Sequence, residues 1–165
     1  MIAFKMMITL FCTAFLIAGC STAGPTAPQA IGFPAVERPY SPEKAAENGD
    51  IVHVHGRYSN MDSWQRFLKN VESKQPDNAR ITQYTVEGDP LFYEFVFNGE
   101  ELQYLYDNSM DAFGGQGNGK RTTSCQSIRS EKQDELEHGT RYRLIGCESE
   151  EIGSTFVFIV EPNTK

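Results

Sequence analysis

The dipeptide Asn98-Gly99 stands between two runs that alternate apolar and polar residues, "PLFYEFVF" and "EELQYLYD". Asn-Gly in that setting is the strongest short signal for a β-hairpin, because both residues tolerate the positive φ that a two-residue turn demands. Such a turn puts Phe97 opposite Glu100, Phe95 opposite Leu102, Tyr93 opposite Tyr104 and Leu91 opposite Tyr106. One face is then Leu91, Tyr93, Phe95, Leu102, Tyr104 and Tyr106. The other carries Glu94, Val96, Glu101 and Gln103 and reads as half wet. An aromatic face of that size must be covered for the sheet to persist in water, since each large side chain contributes about 1.5–3 kcal/mol on burial.

The surrounding sequence supplies the cover and more strands. "ARITQYTVEG" reads as a strand ending at Gly88, and "NMDSWQRFLKNV" sets Met61, Trp64, Phe67, Leu68 and Val71 at helical spacing behind an Asn60 cap. Upstream, "SPEKAAENG" has Ser41 as N-cap, Pro42 at the first helical position and Gly49 as C-cap, a short helix. "DIVHVHG" reads as a strand from Asp50 to His55. "KRTTSCQSI", "TRYRLIGCE" and "STFVFIV" are three further strand-like runs. The acidic stretch 129–139 fits either a helical turn or a solvated loop. The expected fold is α+β: a mostly antiparallel sheet of about six or seven strands with one main helix packed on one face.

The N-terminus reads as an address. Lys5, an apolar run from Met6 to Ala18 and small Gly19 before Cys20 follow the pattern of an export signal, residues 1–19. The run is shorter than the roughly 20 apolar residues a permanent span needs. Ile17-Ala18-Gly19-Cys20 resembles the lipobox of bacterial lipoproteins, which implies lipidation at Cys20 and a lipid anchor on the extracytoplasmic face of the cell membrane. Residues 20–40, rich in Pro, Gly and Ala, read as a flexible tether to a single domain over 41–165.

With Cys12 lost in the signal and Cys20 lipidated, Cys125 and Cys147 are left to form one disulfide outside the cytoplasm. Zinc would want a C-x₂-C pair or nearby His, and neither cysteine has them. The chain carries 15 Lys plus Arg against 22 Asp plus Glu, a net charge of −7 that becomes one unit more negative without Lys5. No basic stripe with interleaved aromatics accompanies it, so nucleic acid is not an expected partner, and anionic headgroups offer such a body nothing.

Three features bear on chemistry. His53 and His55, at i and i+2 on the expected strand, would project from one face, a geometry for two metal ligands that still lacks a third. "DNSMD" spaces Asp107, Ser109 and Asp111 like the start of a calcium loop, but Ala112 and Asn118 stand where Gly and Glu belong. "GGQGNGK" places Gly114, Gly115, Gln116, Asn118 and Lys120 in a loop that nearly spells a phosphate-binding motif. Arg121 replaces its Ser/Thr and antiparallel strands flank it, so turn geometry accounts for the glycines. No cofactor and no catalytic constellation is expected. The function read from these residues is a non-enzymatic binding domain whose partner is a protein or small ligand at the cell surface. Its expected contact regions are the 107–120 loop and the exposed part of the mixed sheet face. A metal-binding protein or metal-assisted hydrolase using His53 and His55 is one alternative, and a protein inhibitor acting through the 107–120 loop is another.

"ENGDIVHVHG", "RITQYTVEGDP", "YDNSMDAFGG" and the paired "TTSCQSI" and "IGCE" together resemble an uncharacterised domain of small Gram-positive lipoproteins, domain of unknown function 4362. The resemblance covers about Glu47 to Val160. It implies a surface lipoprotein and supplies no activity and no functional residues.

Overall fold

The computed structural model describes residues 32–115, 117–133 and 139–162. Strands β1 (Ile51–Val54), β2 (Arg57–Ser59), β3 (Asp77–Tyr84), β4 (Pro90–Phe97), β5 (Leu102–Asp107) and β6 (Lys120–Cys125) form one sheet in the order β2-β1-β3-β4-β5-β6. It is mixed, because β1 and β3 run parallel while every other pair is antiparallel. The parallel pair follows from the long crossover between them, which includes α2 (Met61–Glu72). β7 (Ser127–Gln133), β8 (Gly139–Ile145) and β9 (Phe158–Val160) make a second, antiparallel sheet. The single sheet expected from sequence is therefore two. The described residues hold three short helices, α1 (Pro42–Glu47), α2 and α3 (Glu150–Gly153), of which only α3 was not expected from sequence.

α2 and the small sheet cover the aromatic face of the large one. Trp64 is fully buried, 5.8 Å from Phe95 and edge-on to Tyr142 and Phe158. Phe156 packs at 4.9 Å against Phe95. A second, smaller core lies on the opposite face, where α1 and the preceding chain bring Tyr40 and Ala45 against Val52, Tyr84 and Phe92. Among the described residues no helix is long and apolar enough to cross a membrane.

The β4-β5 hairpin differs from its expected register by two residues: Phe97 pairs with Leu102, Phe95 with Tyr104 and Tyr93 with Tyr106. Asn98 keeps a negative φ while Gly99 takes +102°, so the two-residue turn with both φ positive does not form. The Asn98 side-chain oxygen instead accepts the N–H groups of Glu100 and Glu101, at 2.9 and 2.8 Å, and the loop widens to four residues. A shift of two leaves every side chain on its own face, so the aromatic and mixed faces stand as expected.

Other boundaries move for tertiary reasons. The run from Lys120 breaks at Gln126 into β6 and β7, one in each sheet, and β7 continues to Gln133, within the stretch read as turn or loop. "STFVFIV" is strand only from Phe158, and α3 stands just before it. Asn60 does not cap α2: its side-chain amide donates to the carbonyls of Ala46 and Asp50, tying the helix start to α1. Tyr40, placed in the tether by sequence, is only 4% exposed.

Candidate functional site

The mixed face of the large sheet carries a groove, and a buried charge pair organises it. β3 alternates Ala79 and Ile81 toward the main core with Arg80, Thr82 and Tyr84 toward the outer face. Arg80 and Asp50 are 3% and 2% exposed, and Arg80 Nε donates to Asp50 Oδ1 at 2.8 Å. Tyr40 OH and Thr82 Oγ1 both donate to Asp50 Oδ2, at 2.8 and 2.7 Å. Arg80 Nη2 donates to Tyr40 OH at 3.0 Å. Burial opposes the guanidinium charge, but Asp50, with Tyr40 and Glu94, more than offsets it and raises the Arg80 pKa above its usual value. Burial pushes the Glu94 carboxyl up, and Arg80, 3.4 Å away, pulls it partly back.

This pair fastens the incoming chain across the sheet. Arg80 Nη1 donates to Pro34 O at 3.0 Å, the Phe33 ring lies 5.3 Å from the guanidinium, and Arg38 donates to Ser109 O at 3.2 Å. The strap leaves two hollows. One, of about 600 Å³, runs from Arg38 and Arg80 past Glu94 to Asp107 and Lys120. The other, of about 360 Å³, is lined by Gln103, Leu105, Thr122, Ser124 and Glu148. Phe33, Glu94 and Val96 line both, so the two hollows adjoin along the mixed face and together make up the groove.

The 107–120 loop borders this groove and is internally braced. Asn108 takes the Gly119 N–H on its side-chain oxygen at 2.9 Å and donates to Asn118 at 3.0 Å. Asp111 Oδ1 accepts the Phe113 N–H, and Asp89 reaches across to the Ala112 N–H, at 2.9 and 2.8 Å. Gly114 is closely packed: a Cβ there would stand 2.5 Å from Asn118 Oδ1 and 2.8 Å from Asp111 Oδ2, so one of those side chains would have to shift. Phe113 projects from the tip, 75% exposed.

Of the residues singled out by sequence, Asp107 and Lys120 meet, 3.6 Å apart, at the edge of the groove. Gly114, Gly115 and Asn118 lie in the loop beyond it, and Gln116 and Cys20 fall outside the described residues. The His pair is separated. β1 ends at Val54, and His55 takes φ +46° in the turn to β2, so the two imidazoles do not project from one strand face. His53 instead stacks on Tyr58 at 4.5 Å and accepts the Gly56 N–H at 3.2 Å. Among the described residues no group of three His, Cys, Asp or Glu is placed to hold a metal ion. Cys125 and Cys147 are bonded as expected: Cys125 ends β6 and Cys147 follows β8, so the disulfide joins the two sheets. Sequence reasoning missed Phe33, Tyr40, Asp50 and Arg80. The available signal was Arg80 itself, the one cation of β3, flanked directly by Ala79 and Ile81.

Residues 48–143 match the model of a family described as "Domain of unknown function (DUF4362)". The chain belongs to that family. No curated protein and no solved structure matches it. The DUF4362 match takes in Asp50, Arg80, Glu94 and the 107–120 loop, whereas the strap, Cys147, α3 and β9 lie beyond it.

Proposed function

We propose that this DUF4362 protein is a lipid-anchored, extracytoplasmic binding module, without catalysis of its own, that takes its partner in the groove on the mixed sheet face. The observation that carries the reading is that groove: two adjoining hollows beside the strap, with polar and apolar side chains interleaved and a braced loop at one end. Sites that bind small ligands or peptide segments combine apolar lining with a few placed polar groups in this way. The anchor rests on Ile17 to Cys20, and a disulfide between Cys125 and Cys147 suits the oxidising compartment that an export signal implies. A photo-crosslinking residue in place of Val96, tested on intact cells, is expected to capture a discrete partner that the same residue at Glu47 does not. Identical adducts from both positions would overturn the groove as the binding site.

A second reading, an inhibitor of an enzyme, is favoured by one observation. The 107–120 loop presents the exposed Phe113 side chain on a backbone held by its own hydrogen bonds, which lowers the entropy cost of docking.

A further inference from the structure

Another hollow lies on the opposite side of the large sheet. It measures about 780 Å³ and opens between the end of α2 and β7. Its floor is apolar, formed by Leu68 and Val71 of α2, Phe97 of β4, Ile128 of β7 and Tyr142 of β8. These side chains belong to the edge of the main core. Glu72 and Glu100 line it with Lys74, and among the described residues no ion pair engages either carboxylate.

One wall is a strand edge. β7 pairs with β8 on one side, and among the described residues no strand pairs with it on the other. In an antiparallel ladder, alternate residues of an edge strand turn their N–H and C=O away from the partner, a row of groups ready to accept another strand. Ile128 and Ser130 face the hollow, while Arg129 and Glu131 point to the other side of the sheet. An added strand would therefore have its backbone bonded to β7, and every second side chain would enter the apolar floor.

We propose that β7 and the end of α2 form a docking groove for an extended peptide segment of another protein, bound by strand addition. The segment places apolar residues at alternate positions and a Lys or Arg beside Glu72 and Glu100. Main-chain hydrogen bonds supply affinity in this mode, and the pockets for alternate side chains supply specificity. The groove and the proposed binding site of the mixed face lie on opposite faces of one sheet, so either can fail alone.

The test is a panning of the full-length protein against a phage library of random linear decapeptides. Enriched sequences are then synthesised and titrated calorimetrically. The expected peptides carry apolar residues at every second position, and N-methylation of alternate backbone nitrogens weakens them about tenfold or more. Ile128→Lys weakens binding in the same way, and amide shifts map to residues 127–131 and 68–74. The methylated peptides test strand addition without altering the fold of the protein. Failure to enrich any peptide, binders indifferent to N-methylation, shifts confined to the mixed face, or a dimer of this chain paired through β7 would each overturn the proposal.

Discussion

Asp50→Ala is the substitution with the largest worked consequence. It removes the acceptor of three hydrogen bonds, from Arg80, Tyr40 and Thr82, and leaves a guanidinium that is 3% exposed without its main counter-ion. Breaking a buried pair by deleting one partner costs about 3–5 kcal/mol. Glu94, 3.4 Å from Arg80 and with a side chain 23% exposed, supplies part of the missing charge, which places the expected loss near the lower end, about 3 kcal/mol. With urea m-values of about 1–3 kcal/mol/M, the unfolding midpoint falls by about 1–3 M. Trp64, the only tryptophan and fully buried, reports the transition by fluorescence. Asp50→Ala with Arg80→Met removes both charges, and the double variant is expected to be no less stable than Asp50→Ala alone. A midpoint unchanged by Asp50→Ala, or costs that simply add in the double variant, would refute the view that these two residues act as one buried unit.

Other consequences are as direct. Reducing the disulfide, whose cysteines are 22 residues apart, is expected to cost about 3 kcal/mol, read as a lower urea midpoint in the presence of a phosphine reductant. Gly114→Ala forces Asn118 or Asp111 to move, and faster amide hydrogen exchange over the 107–119 backbone, with the core amides unchanged, would report it. Burial holds the His53 imidazole below its usual pKa of 6.5, against the opposing pull of Gln83 and Glu161. The unfolded chain then binds the proton more readily than the native one in the window just below 6.5. Stability therefore falls as pH drops through that window and levels off beneath the native pKa, and His53→Phe flattens the profile.

The aromatic face was legible because its information is redundant. Alternation in two adjacent runs assigns the sides, and a slip of two residues in register changes no assignment. The slip itself arises from an Asn98 side-chain oxygen that satisfies two backbone N–H groups, a choice the dipeptide does not announce. The break at Gln126 has no local cause: the run on both sides is strand-like. The chain changes sheets where Gln126 N–H donates to Ile145 O and Glu148 N–H to Ser124 O, around the disulfide. The groove was legible only in part. Glu94, Val96 and Gln103 fall on the mixed face by alternation, but the strap that closes it depends on Arg80 meeting Asp50, thirty residues earlier in the chain. The separation of the histidines was open to a closer local reading, since His55-Gly56 stands between two short strand-like runs as a two-residue turn.

The proposed export and lipid anchoring of a domain closed by one disulfide can be decided by intact-mass spectrometry of the protein extracted from its native membrane. The expected mature chain begins at Cys20, carries a thioether-linked diacylglycerol there, and lacks the two thiol hydrogens of Cys125 and Cys147. A chain that begins elsewhere, an unmodified Cys20, or free thiols at both positions would contradict it.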